Sequence, residues 1–593
     1  MAKRLTRRDF LRMATLAAGG AVMAACAPQP AATQPAVAQP TAAVAQPTQA
    51  QAVVAPTNPP APTETAPTTA PAQPTRPVVM LVGLGLTNAE PADDWDWQAP
   101  AFLGQIYEGL FRPKGEMNPT IDTWLAAEIP SKENGGISAD GLVYTVKLKP
   151  GIKFHDGSPL NAAAVIYSYE RTKALKFGVS GVTANWIDKM EAVDDLTVKF
   201  TLGKPFADFL KSMTSPWGNS IVNPAITKAH EGKLGDGSPD WGYNWLITDA
   251  NEAGSGPYKF TSKDATLKQI TLDRDPNYWG GWQGDKFIDK VIIRWDVPSA
   301  TARLMLEKGD ADYAPNLAAS DFAALEKTTG VVTAKYQDTM QYYLGFNNSS
   351  KQLTDVHVRQ ALLYSFNYDQ VIKDIFLDNL SPMTTAVGPG YPEVYTPQTV
   401  YTYDLEKAKA LLAQAGYSSA KPLDLTINIL PAFGEAQAVA EYWQNDLAQI
   451  GVNLKLQQTN WDTFAKSWWT ECSASTNPNM GQITTFGIGG DYPSAWETIW
   501  QIYPKMPNVP CTTLYTDDPK VNKLFDDISL ETDGAKREVL FKDLYEYLNE
   551  QAYALWIGQG KALAAYRDWV KGYAYTFAYS AFYLPLDKMW IEK

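Results

Sequence analysis

Cysteine and histidine are nearly missing from this chain, with three of each in 593 residues. Three cysteines cannot build a disulfide framework. His155, His230 and His357 lie far apart and show no metal-ligand spacing, so no metal centre is expected. Beyond the N-terminal stretch there is no further apolar run of about 18 residues, so the body does not read as transmembrane. Positive charge is also in deficit. The formal net charge is −13, and the first 25 residues hold five of the 51 basic groups against one of the 64 acidic groups, which leaves −17 for the rest. So acidic a body repels phosphate backbones and argues against nucleic acid as a partner. Catalytic signatures are missing too: no Gly-x-Ser-x-Gly elbow, no His-Glu-x-x-His and no P-loop. Gly487-Ile488-Gly489-Gly490 lacks the lysine and the strand-loop-helix setting of a phosphate loop, and the adjacent pair Asp93-Asp94 does not set a glycosidase spacing. No catalytic residue, metal or cofactor is expected.

Aromatic residues are plentiful, at 12% with 19 Trp and 30 Tyr. Large flat side chains fill cores, and they also line clefts that stack on ligands. The length is too great for one hydrophobic core and predicts two or more lobes.

Residues 1–26 read as an export signal, with a basic start leading into a short apolar stretch from Met13 to Ala25. Thr6-Arg7-Arg8-Asp9-Phe10-Leu11-Arg12 resembles the twin-arginine motif. Met23-Ala24-Ala25-Cys26 resembles a bacterial lipobox, with Met where Leu is commonest, and makes Cys26 the expected lipidation site. Residues 27–76 are almost wholly Ala, Pro, Gln, Thr and Val, a composition too poor in apolar periodicity to fold, and are expected to form a disordered tether.

Folded structure is expected to start at the apolar run Val78–Val82. Strand-like and helix-like segments then alternate in an α/β pattern. Leu142–Leu148 alternates as a strand does; Asn161 and Asp404 are placed to cap helices; a longer helix spans about Ala535 to Glu550, with Leu540, Leu544 and Leu548 on one face.

Lys147-Leu148-Lys149-Pro150-Gly151-Ile152-Lys153-Phe154-His155-Asp156-Gly157-Ser158-Pro159-Leu160 resembles the signature of the family 5 extracellular solute-binding proteins, the oligopeptide-, dipeptide- and nickel-binding components of ABC importers. Further matches follow in the family's order: Gly254-Ser255-Gly256-Pro257-Tyr258, Arg274 to Gly281, Glu307 to Asp312, Leu344 to Asn347, Asp355 to Leu362, Tyr403 to Tyr417 and Gln449 to Val452. One departure is Ala163-Ala164, where an acidic pair is usual. The resemblance implies a type II periplasmic-binding fold, with two lobes, a cleft between them and two crossover segments. Lobe I would comprise 77–339 and 555–593, with a subdomain at about 121–250, and lobe II would comprise 340–554. The crossing points are expected at Tyr342–Asn347 and Ala554–Gly558. The glycine-rich turn and the Phe-His-Asp-Gly segment are read as structural turns.

In peptide-binding members an aspartate in a matching segment pairs with the ligand's α-amino group, which implies a ligand role for Asp491 and its neighbour Tyr492. Trp95 and Trp97 after the first strand, and Trp468, Trp469 and Trp496 around the second-lobe segment, are candidate stacking residues, which also suit an oligosaccharide. Peptide and oligosaccharide both stay open at this point, and a histidine-based nickel site is not expected. Cys472 and Cys511 flank the same region outside the reducing cytosol, and a disulfide between them is expected, worth roughly 3–4 kcal/mol in the chain-entropy model. The protein is thus expected to be a monomeric, lipid-anchored, extracytoplasmic binding protein that catalyses nothing and delivers a small polar ligand to an ABC permease. A ligand-presenting sensor is the alternative.

Overall fold

The computed structural model describes residues 77–81, 89–93, 101–116, 119–430, 434–459, 481–500, 502–503, 514, 516–577 and 583–592. Eleven strands form its principal sheet. They are β1 (Val78–Leu81), β2 (Tyr258–Asp264), β3 (Gln269–Arg274), β4 (Lys290–Arg294), β5 (Tyr313–Ala314), β6 (Val331–Phe346), β7 (Leu380–Pro382), β8 (Leu423–Ile429), β9 (Val452–Gln458), β10 (Ile483–Ile488) and β11 (Ala554–Arg567). The spatial order is β9-β8-β10-β6-β11-β5-β1-β4-β3-β2, with β7 paired to β11.

β1 is buried along its whole length, as its unbroken apolar run demands, and pairs in parallel with β4 and β5. β4, β3 and β2 continue as an antiparallel meander. At the opposite end β8 lies parallel to both β9 and β10. The two ends are joined by β6 and β11, which pair antiparallel from Val331↔Arg567 to Gly345↔Ala554. Their side chains change core along the way. Leu344, Phe346, Leu555 and Ile557 pack in one cluster with Val358, Leu425 and Trp443. Leu563 and Ala565 pack in another with Val79 and Leu81. β6 and β11 are therefore the two crossover segments between lobes.

The crossing is not a regular ladder. Its register shifts between Gln337 and Gln341 and again between Tyr342 and Tyr343. Side-chain amides take up bonding there. Gln337 Nε2 donates to the Gly560 carbonyl at 2.9 Å, and Gln559 Nε2 to the Asp338 carbonyl at 2.7 Å. Gln341 and Gln559 accept from the N–H groups of Gly388 and Gly390, each at 2.8 Å.

A separate three-stranded antiparallel sheet (Val143–Lys147, Thr197–Leu202, Ile187–Asp194) carries the helix Ala162–Leu175. The Asn161 side chain caps this helix by accepting from Ala164 N–H at 3.1 Å, and the cap meets part of the helix-start demand that the alanine pair leaves unmet. Asp404 caps Leu405–Gln414 in the same way, and Ala408 and Leu412 of that helix are buried. The C-terminal amphipathic helix runs Gly534–Gln551 and buries Phe541, Leu544, Tyr545 and Leu548.

The sequence motifs meet in space. A Cβ on Gly254 would lie 2.0 Å from the Ile106 carbonyl oxygen, and one on Gly256 would lie 2.3 Å from that of Gln105. Glycine is the residue that permits this approach. His155 reaches the same turn, with Nδ1 2.8 Å from Glu252 Oε1 and Nε2 2.8 Å from the Gly256 carbonyl. Glu108, fully buried, accepts from Ser255 Oγ, Tyr278 Oη and Trp279 Nε1 at 2.7–2.8 Å. Burial still pushes the Glu108 carboxyl up to about 7 against these three donors.

Two outcomes follow from this knot. Gly256→Ala should cost about 3 kcal/mol, because the new methyl meets backbone and not a yielding side chain; urea unfolding reads the loss. Burial opposes the charge on His155, but the bond and charge of Glu252 and the Gly256 carbonyl overcome it, so its pKa lies above the usual histidine range. A raised folded-state pKa gives stability that is complete below the unfolded value and fades as pH rises through the folded one. The stability advantage of the native protein over His155→Gln should therefore be full at about pH 6 and shrink progressively above about pH 6.5. Unfolding midpoints across that range measure it.

Candidate functional site

β10 ends at Ile488, and the chain turns at Gly489-Gly490 before the helix Ala495–Trp500. Both glycines sit where side chains would collide. A Cβ on Gly489 would lie 2.9 Å from Thr339 Oγ1, in the crossover segment. One on Gly490 would lie 2.7 Å from Thr498 Oγ1 and 2.9 Å from Tyr391 Oη. The turn thus presses directly on the hinge between lobes. Its backbone is held by side chains: Gly490 N–H donates to Tyr391 Oη at 3.2 Å, and Asp491 N–H donates to Glu497 Oε2 at 2.7 Å. Asp491 is buried, with 7% of its surface exposed, and Tyr492 beneath it is part of the core. Burial first, and the nearby Asp208 and Glu497 charges next, keep the Tyr492 hydroxyl protonated well above its ordinary range.

Opposite this segment stand residues of the three-stranded subdomain and its following loop. Ser494 Oγ donates to Asp208 Oδ2 at 2.6 Å, and the Ala207 N–H donates to the Ser529 carbonyl at 2.8 Å. Trp496 meets Trp186 and Phe206 edge-on, with centroids 6.3 and 5.6 Å away, and stacks on Trp500 at 5.7 Å. Its indole N–H is donated to the Phe525 carbonyl at 2.9 Å. Trp496 thus packs among protein rings where the subdomain meets the Asp491 segment. Asp491 and Tyr492 are brought together with this contact.

Trp95, Trp97, Trp468, Trp469, Cys26, Cys472 and Cys511 lie outside the described residues. Residues 89–93, which precede the first tryptophan pair, are firmly fixed. Arg171 grips Glu90 through two bonds, 2.7 and 2.5 Å long, with both side chains essentially unexposed. Tyr243 Oη donates to Asp93 Oδ2 at 2.7 Å.

The residues that sequence reasoning missed are those that position Asp491. Glu497 stands only six places on, so its proximity to Asp491 is local in sequence. Tyr391, Thr339 and Asp208 are remote in sequence and carried no local signal. Among the described residues no group of three or more His, Cys, Asp or Glu is arranged to hold a metal, and no helix is long and apolar enough to cross a membrane. A hollow lined by Tyr107, Trp124, Asn219 and Tyr583 belongs wholly to the first lobe and shares no residue with the Asp491 segment.

The fold matches solved periplasmic-binding structures. It superposes with a TM-score of 0.72 on the periplasmic binding protein DppA from Helicobacter pylori in complex with peptide STSA, at 23% identity over 87% of this chain and 98% of that one. It superposes with a TM-score of 0.69 on NikA from Staphylococcus aureus in complex with Ni(L-His)2, at 17% identity over 87% and 99%. Two lobes joined by two crossover strands are the architecture of the periplasmic-binding fold. In sequence, the chain is 29% identical over 495 residues to the glutathione-binding protein GsiB of Pectobacterium atrosepticum, covering 81% of this chain and 87% of that protein. The model of the bacterial extracellular solute-binding proteins, family 5, matches residues 120–508, and the chain belongs to that family. It is a solute-binding protein and not an enzyme.

Proposed function

We propose that this protein captures short peptides outside the cytoplasm and delivers them to an ABC importer, with Asp491 receiving the peptide's α-ammonium group. The observation that carries the reading is a buried carboxylate, fixed through its own backbone by Glu497, at the turn that abuts both the hinge and the opposite lobe. In so dry a place a carboxylate favours a cation strongly, and a charge-assisted bond orients it. Relatives named for glutathione or crystallised with the peptide STSA bind ligands that carry such a group. Lobe I is taken as 77–339 with 555–593 and lobe II as 340–554, which puts the lower boundary beside the β6 register shifts. Trp95, Trp97, Trp468 and Trp469 are proposed to pack against the rest of the ligand. Cys26 is proposed as a lipidated N-terminus and residues 27–76 as the tether to the membrane, with a Cys472–Cys511 disulfide in the body and the protein acting as a monomer.

Native mass spectrometry of protein purified without refolding should release a ladder of masses that fit amino-acid residues. Masses spaced by one sugar unit would overturn the peptide reading. For a peptide so identified, Asp491→Ala should raise Kd roughly 30-fold or more, the equivalent of about 2 kcal/mol for losing one partner of a buried charge pair. Isothermal titration measures it, and an unchanged Kd would remove Asp491 from the site. The intact mass of the exported full chain should show a diacylglycerol-modified Cys26 and the loss of two hydrogens at Cys472 and Cys511; Cys26→Ser should release the protein from the membrane fraction.

A further inference from the structure

Buried indoles in this protein find acceptors. Trp443 Nε1 donates to Ser365 Oγ at 2.9 Å, Trp496 to the Phe525 carbonyl at 2.9 Å and Trp556 to Tyr503 Oη at 3.1 Å. A donor that costs free energy when buried alone is expected to be paired. Trp217 departs from this pattern. It is equally buried, at 6% exposed, yet no acceptor lies within reach of its Nε1–H. Among the described residues it also joins none of the three apolar clusters, so the ring is buried without being core.

The backbone beneath the ring is held from several sides. Trp217 stands in the loop between the helices Phe209–Ser212 and Pro224–Ala229. Its own N–H donates to Ser215 Oγ at 3.2 Å. Asn219, whose Oδ1 accepts from Tyr169 Oη, turns its Nδ2 to the carbonyls of Ser212, Ser215 and Trp217 at 3.0, 3.3 and 3.2 Å. Gly218 N–H donates to the Pro91 carbonyl at 3.2 Å. Glycine is required there, because φ is +73° and a Cβ would lie 2.7 Å from the Val179 carbonyl oxygen. Rigid support of this kind is what a binding side chain needs. The loop also spans the ground between two stretches of the cleft. Asp208, just before it, is paired with Arg537 at 2.6 Å and accepts from Ser494 Oγ, three residues beyond Asp491. Pro91 belongs to the run that follows the carboxyl end of β1, the end at which ligands of open α/β sheets bind.

An indole N–H donates and does not accept, so the partner it lacks is an acceptor, and a peptide offers a carbonyl oxygen at every residue. We propose that Trp217 is a ligand-contact residue whose N–H donates to a main-chain carbonyl oxygen of the peptide that Asp491 holds by its ammonium group. An acceptor for the ammonium group and a donor for a carbonyl, carried by different segments, together set the direction in which the peptide lies. The inference rests on the peptide reading of the site and adds to it a donor from the subdomain side.

Native mass spectrometry of the full chain titrated with a synthetic pool of random tripeptides tests it, together with the indole proton–nitrogen spectrum of the same protein. Trp217→Phe keeps a ring in place and removes the donor. It should move the titration midpoint up about tenfold, the effect of one hydrogen bond, with the melting temperature nearly unchanged because no bond within the protein is lost. In the native protein the indole resonance that is missing from Trp217→Phe should move downfield as the pool saturates, which a merely packed ring would not do. That shift is read on the native protein and so stands apart from the variant's stability. Equal midpoints in native and Trp217→Phe proteins, or an unmoved Trp217 resonance, would overturn the inference. If Asp491→Ala weakens binding while Trp217→Phe does not, Trp217 alone leaves the site and the peptide reading stands. A native chain that retains no tripeptide overturns the peptide reading and this inference together.

Discussion

β6 and β11 run side by side from one lobe to the other, so any relative motion of the lobes has to be absorbed by the same few residues of these two strands. A regular antiparallel ladder resists bending, because every peptide group is committed to a bond with its neighbour. Here the commitment lapses between Gln337 and Gln341, where the register shifts. Three glutamine side chains take over part of the bonding, reaching backbone groups of β6, β11 and the loop after β7. A side-chain amide can follow a moving carbonyl through its own torsions, while a ladder bond cannot. Backbone groups of the hinge that the register shift takes out of the ladder are thereby bonded by side chains.

The same constraint explains why the Asp491 turn sits where it does. Gly489 lies against Thr339 of the hinge and Gly490 against Tyr391, and Ser494 touches Asp208 of the opposite lobe. A ligand group held by Asp491 would therefore bear on the hinge and on the closing surface together. Binding can shift a two-state equilibrium only by its differential affinity for the two states. A carboxylate placed at the junction of hinge and contact surface is among the few positions from which one ionic bond can supply that difference. Trp186, Phe206, Trp496 and Trp500 around the contact exclude water from it, which strengthens every charge interaction inside.

Much of the scaffold was legible in the sequence because it rests on short-range physics. The buried run at Val78, the caps at Asn161 and Asp404 and the amphipathic stripe of the C-terminal helix are decided within a dozen residues. The glycine pair at 254 and 256 announced a close backbone approach, though the partner, 150 residues upstream, did not announce itself. The contact between lobes was illegible for the same reason. Asp208 and Arg537 are 329 residues apart, and nothing local to either distinguishes it from a solvated surface charge. Trp496 shows how far such local reading reaches. An indole close to a ligand motif was read as a ligand platform, whereas its ring neighbours come from distant segments that pattern reading could not bring near.

What the family motifs encode also limits what family membership says about the ligand. The segments around His155, Gly254 and Tyr278 converge on two groups, the half-buried His155–Glu252 pair and the buried Glu108 with its three donors. They build one wall of the first lobe and leave the Asp491 turn untouched. A chain can keep this knot, and with it the fold, while the residues facing the cleft change freely. It follows that relatives named for glutathione, or solved with a peptide or with a nickel–histidine complex, can share one scaffold without sharing a binding chemistry. On the reading proposed above, the choice among ligands falls to residues such as Asp491 that stand outside the knot and are tied to the hinge. Ligand specificity in this fold is therefore to be sought where the lobes meet, and stability where the motifs do.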